Sequence, residues 1–241
     1  MSESTSKQRK SRRNAASANG LRRLLRRWFW RGLLGMVVLT LVWILLLSFI
    51  RPPAGLYIRS ESYRLGGVER EWASWDEIAP VMARSIVAAE DANYCLHWGF
   101  DMGAIRDRLE RGGSGGASTL SQQVVKNVFL WHGRSWVRKA LEAMLTPVIE
   151  TLWSKQRILE VYMNIAEFDE GVFGVKAAAK HYFNVTPDKL TATQAARLAM
   201  VLPSPKQRSA SKPTQAQRNR TARIMDGAQT IAVDGRASCF Q

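Results

Sequence analysis

Residues 32–50, GLLGMVVLTLVWILLLSFI, run for nineteen positions without a charge, and no other stretch so restricts what this chain can fold into. As a helix rising ~1.5 Å per residue, the run is roughly 28 Å long, close to the ~30 Å hydrocarbon core of a bilayer. It has no polar face, which a helix packed on a soluble core would show. A cleavable signal sequence would have a shorter apolar region and small residues at its cleavage site. Here Arg51-Pro52-Pro53 follows instead. The run therefore reads as an uncleaved transmembrane anchor.

A net charge of +15 suggests nucleic acid until it is located. Ten Lys and Arg residues precede position 32, opposed only by Glu3, so most of the excess lies on one flank of the anchor. That flank places the N-terminus inside and everything after residue 51 outside, and it removes the reason to expect a nucleic-acid partner. Residues 1–31 are rich in Ser, Ala and Asn without apolar periodicity, which predicts a disordered basic cytoplasmic tail. Cys95 and Cys239 would then face an oxidising compartment, and the sequence leaves open whether they pair. Two isolated cysteines and the dispersed His97, His132 and His181 make no metal pattern.

Residues 51–79, with short alternating pieces such as LYIRSESYRL, read as a membrane-proximal linker with one short strand. From Pro80 helical periodicity dominates, and residues 80–241 read as one mainly α domain. Pro80 suits a first helical turn, and VMARSIVAAED is apolar at Met82, Ile86 and Ala89. Ser135 can cap a helix carrying Val137, Leu141, Met144 and Val148 on one face, with Pro147 a possible kink. KQRILEVYMNI (155–165), GVKAAAKHYF (174–183) and TATQAARLAMVL (191–202) are further helices, the last with a Thr191/Gln194 capping box.

The stretch RGGSGGASTLSQQVVKN (111–127) suggests phosphate binding, but its Lys126 stands seven residues beyond Thr119, so it is not a nucleotide P-loop. A helix starting near Ser118 would align Thr119, Gln122, Gln123 and Lys126 in one polar stripe beside a flexible glycine run. Solvent exposure alone explains most such stripes. Glu90 ends an apolar helical run, where a carboxylate is either a surface acid or a partly desolvated group suited to proton transfer. Glu142 follows Arg138 and Lys139 at helical spacing, so local ion pairing accounts for it. Lys126, Arg134, Arg138 and Lys139 together would suit a multiply charged oxygen ligand such as a diphosphate.

Taken in order, EDANYCLHWG, GASTLSQQVVKN, RKALE, KQRILEVYMN, GVKAAAKHYF and QAARLAMVLPSP resemble the motif series of glycosyltransferase family 51, the peptidoglycan glycosyltransferases. The resemblance covers roughly residues 85–205. Its departures are mild: Tyr94 where Phe is usual, Leu120 and Ser121 for Ile and Thr, Met163 for Leu. The segment after Pro205 is too short for a transpeptidase domain, and Ser209–Lys212, a Ser-x-x-Lys, has no such domain around it.

The resemblance implies a lysozyme-like, mainly α fold that polymerises lipid II into β-1,4-linked glycan by inverting transfer, with release of polyprenyl diphosphate and no transpeptidase activity. It implies Glu90 as general base and Glu142 as a second carboxylate that orients the cations or the donor. Lys126 and Arg134 would face the diphosphate, supported by Arg138 and Lys139. Ser118, Thr119, Gln122, Gln123 and Asn127 would line the cleft. No dedicated metal site is implied, though Mg2+ or Mn2+ can assist at the diphosphate. The expected partners are lipid II, the growing lipid-linked strand, the bacterial inner membrane crossed once, and cell-division or elongation proteins. Two rivals remain on the sequence: a glycan-cleaving hydrolase, and a non-enzymatic membrane anchor.

Overall fold

The computed structural model describes residues 3–110, 112 and 118–241, with side chains from residue 22 onward. It divides into two units, residues 1–49 and residues 50–241. The first is one helix, α1 (Glu3–Leu47). Within it Arg22–Leu47, 26 residues, is long and apolar enough to cross a membrane. The backbone is helical from Glu3, through the basic residues that precede the apolar run. Lys, Arg, Ala and Ser all tolerate a helix, and the apolar stretch supplies the nucleus that a short polar segment cannot form alone.

The second unit is mainly helical, and it starts earlier than position 80. The alternating stretch LYIRSESYRL is helix α2 (Leu56–Leu65), closed by Gly66 in the left-handed conformation at φ 73°, and the short strand expected in the linker follows it. Burial of Ile58 and Glu61, three residues apart, follows helical rather than alternating spacing. Strand β1 (Glu69–Arg70) comes next and pairs in parallel with β3 (Val172–Phe173). β3 in turn pairs antiparallel with β2 (Glu167–Asp169), giving the order β1-β3-β2. This small sheet has no clear sequence signal, since its strands are two or three residues long.

Helix α3 (Pro80–Glu90) buries Met82, Ile86 and Val87 and packs against α9 (Ala192–Val201) and α10 (Gln215–Val233). The approach is close. A Cβ built on Gly227 of α10 would lie 3.1 Å from the Ala88 methyl of α3. Ala195, Ala196 and Ala199 of α9 are fully buried, so small side chains bring three helix axes together. A second group packs α5 (Leu120–Phe129) against α6 (Trp136–Leu152) and α7 (Lys155–Ile165). In the chain, α4 (Met102–Glu110), which buries no side chain, precedes α5, while α8 (Val175–Phe183) follows the sheet.

Ser135 caps α6, and Thr191 with Gln194 forms the expected box on α9. The apolar stripe of α6 does not face the core, however. Val137 and Met144 are 66% and 69% exposed, and the buried positions are Glu142, Thr146, Ile149 and Glu150. Cys95 and Cys239 are joined in a disulfide across 144 positions.

Candidate active site

Glu90 is the last residue of α3, partly exposed where the helix ends. Its Oε2 accepts a hydrogen bond of 3.1 Å from Gln123 Nε2 on α5. Tyr162 of α7 donates its hydroxyl to Gln123 Oε1 at 3.4 Å, which turns the amide toward the carboxylate. Burial raises the Glu90 carboxyl above its ordinary range. Asp91 adds to the rise, whereas the Gln123 bond and the cations Arg220 and Arg208 oppose it. A carboxylate held this way is a stronger base than a solvated one and suits proton transfer.

Asp91, which the sequence reading did not single out, joins the two helices. One oxygen accepts the Leu120 N–H at 3.0 Å at the start of α5, and the other lies 2.8 Å from His97 Nε2. The end of α3 is thus fixed to the start of α5, with Gln123 one turn further along. The available signal was an acid directly after Glu90 with a histidine six residues on.

Two of the residues expected in the cleft cap the start of α5. Thr119 is the N-cap of α5 and pairs reciprocally with Gln122, whose N–H donates to Thr119 Oγ1 at 3.3 Å while the Thr119 N–H donates to Gln122 Oε1 at 3.0 Å. The Thr119 hydroxyl also donates to Gly99 O at 2.7 Å. Both side chains are buried, and these bonds fix the start of α5. The glycine run beside them, Gly112 apart, lies outside the described residues.

The cationic group assembles around Glu142, which is 2% exposed. Its carboxylate accepts Arg138 Nη1 at 2.7 Å and the Lys139 ammonium on its other oxygen. Lys139 also donates to Ser118 Oγ at 3.2 Å, tying the segment before α5 to α6. Burial lowers the Lys126 ammonium from its ordinary range, Arg138 and Lys139 lower it further, and Glu142 and Glu90 oppose them. Lys126 therefore senses both carboxylates. Arg134 stands exposed in the turn before α6, and among the described residues no bond joins it to this group.

A groove of about 390 Å³ is lined by Gln123, Lys126 and Asn127 of α5, by Tyr162, and across from them by Tyr57 and Lys206. Glu90 meets it through its bond to Gln123. The far wall is fixed by Tyr57, whose hydroxyl donates to Glu167 Oε2 at 2.5 Å, and by Lys206, 2.7 Å from Glu61. His132 stacks on Tyr57 at 3.7 Å with Nε2 2.9 Å from Asn127 Oδ1. Desolvation, aided by Lys126 and Arg138, lowers its imidazole to about 4, so it is neutral at ordinary pH. Gly55 lets α2 reach this position, since a Cβ there would lie 2.1 Å from Asn127 O.

Among the described residues no three His, Cys, Asp or Glu gather to hold a metal ion. Both oxygens of Glu142 are already engaged by cations. The arrangement can accept a proton at Glu90 and attract an anion at Lys126, within reach of one groove.

The family model described as Transglycosylase matches residues 59–229. A biosynthetic peptidoglycan transglycosylase from Jannaschia sp. (strain CCS1) is 55% identical over 232 residues, covering 96% of this chain and 97% of that protein. Its namesake from Stutzerimonas stutzeri is 50% identical over 202 residues, 80% of this chain and 84% of its own. The one from Caulobacter vibrioides is 44% identical over 223 residues, 91% and 97% of the two chains.

Proposed function

The chain belongs to the transglycosylase family and is a peptidoglycan glycosyltransferase, and from that premise we propose that it polymerises lipid II with Glu90 as general base. The acceptor sugar's 4-hydroxyl gives its proton to Glu90 as its oxygen attacks C1 of the donor. The bond from C1 to the diphosphate oxygen breaks, and the departing polyprenyl diphosphate keeps the bonding pair. Attack from the opposite face inverts C1 and leaves a β-1,4 linkage. Negative charge grows on the diphosphate as the bond breaks, which is where fixed cations lower the barrier most.

Lys126 takes that role, with Arg138 and Lys139 behind it, and Arg134 is free to close from the exposed turn. Glu142 holds Arg138 and Lys139 in place rather than meeting the sugar. Ser118, Gln123 and Asn127 present the polar groups of the cleft. A Mg2+ or Mn2+ ion would travel on the diphosphate oxygens, not on a protein site. The observation that carries the reading is Gln123, which bonds Glu90 and lines the same groove as Lys126.

The apolar helix and its basic flank support a single-pass protein of the bacterial inner membrane, with the N-terminus cytoplasmic and the catalytic unit periplasmic. Besides lipid II and the growing strand, cell-division or elongation proteins fit as partners of such an enzyme. The test is polymer formation from labelled lipid II by the purified chain. Glu90→Gln should lower the rate by at least about 10²-fold with helical content unchanged. A Gln variant that polymerises at the parent rate would refute the assignment.

A further inference from the structure

Directly after Glu90 the chain leaves its helix, makes a single turn at Tyr94–Leu96 and reaches His97. On its inner side this segment is held by Asp91 on the Leu120 N–H and by the Tyr94 hydroxyl on Lys155 O at 2.8 Å. Its outer side is held by the other end of the sequence. After α10 the chain turns through residues 234–241, and three contacts return it to this segment. Cys239 is bonded to Cys95. Phe240, 2% exposed, sets its ring 6.3 Å from Tyr94 and 6.5 Å from Trp75. Arg236, aligned by Asp234 at 2.7 Å, donates to Ala92 O at 3.3 Å. The same α10 carries Arg220, one of the cations acting on Glu90.

We infer that residues 236–240 form a positioning clasp for the catalytic base, in which Cys239, Phe240 and Arg236 fix the segment behind Glu90 and so its aim into the groove. The inference rests on Glu90 being the base. None of the three residues lines the groove, so their effect must pass through backbone placement. The contacts of Arg236, Cys239 and Phe240 are with Ala92, Cys95, Tyr94 and Trp75, and Lys126, Arg138 and Lys139 have other partners. Loosening it should therefore impair proton transfer and leave donor binding intact.

The groups facing Glu90 are Gln123 and Lys126 from α5, Tyr162 from α7, Arg220 from α10, Arg208, and the adjacent Asp91. A looser segment admits water, and the burial that raises the carboxyl relaxes. The acid limb of the rate profile should then move to lower pH while the plateau falls.

The test uses the full chain in detergent, assayed on labelled lipid II well below its melting temperature. The double variant Cys95→Ser/Cys239→Ser should lose about tenfold in kcat with KM within about twofold of the parent. Its acid limb should shift to lower pH. Phe240→Ala, with the bridge intact, should shift the same way by a smaller amount and covers the case of a double variant that does not fold. If either folded variant keeps the parent kcat and acid limb and loses only melting temperature, the bridge is a staple and the inference is wrong. Glu90→Gln run in parallel separates the two claims. An inactive Gln variant beside fully active clasp variants rejects the clasp alone, and an active Gln variant rejects both.

Discussion

Glu90 illustrates how a functional group costs stability in the fold that holds it. Its carboxyl is raised by burial, so the folded state binds a proton more tightly than the unfolded state. The corresponding stability is present at pH below the ordinary glutamate range, about 4.3, and is lost as pH rises through the folded value. Glu90→Gln removes the charge that burial penalises, so its melting temperature should exceed the parent's at pH 7.5, with the gap closing at low pH. Melts of the two proteins across pH check this, and a gap that widens toward acid would contradict it. The candidate base was legible as an acid closing an apolar run. The polar stripe that drew Thr119 and Gln122 into the candidate site also carried a second, local signal. Thr-x-x-Gln at a helix start is a capping signature, and it engages the Thr119 hydroxyl and the Gln122 amide oxygen.

At the scale of elements, α2 decides the far wall of the groove and was the segment least legible in the sequence. Ten residues with mixed polarity give neither period clearly. Their helix is fixed by tertiary contacts, with Glu61 between Arg64 and Lys206, and Tyr57 on Glu167. Nothing local announces Lys206 or Glu167, which lie more than 100 positions from their partners. The contact that admits α2 is Gly55. A methyl 2.1 Å from Asn127 O cannot be accommodated by a side-chain movement, because the obstacle is backbone. Gly55→Ala should therefore cost about 1–3 kcal/mol, the usual range for forced overpacking, and reduce turnover by displacing Tyr57 and Asn127. Denaturant unfolding and the polymer assay read the two effects, and parent-like values in both would show that α2 can shift freely. The outward apolar stripe of α6 has the same lesson. Periodicity identified the helix, but the buried face is the one carrying Glu142, whose charge is compensated by Arg138 and Lys139.

Across the whole molecule, the order of motifs and the long uncharged run were enough to read an anchored, mainly α glycosyltransferase. The closure of the catalytic unit by its C-terminal segment was not, because a pairing between Cys95 and Cys239 depends on folded proximity and not on spacing. The charge of the chain also separates into two populations. Most of the excess precedes residue 32, while the cations that matter for chemistry are few and are held by Glu142 or near Glu90. The account assigns base and anion-binding roles to different residues on one groove, and binding of the donor without turnover divides them. Equilibrium binding of lipid II to Glu90→Gln should match the parent within about twofold, whereas Lys126→Met in the same background should bind at least about tenfold more weakly. Equal affinity of the two, or loss of binding in Glu90→Gln alone, would contradict the division of roles.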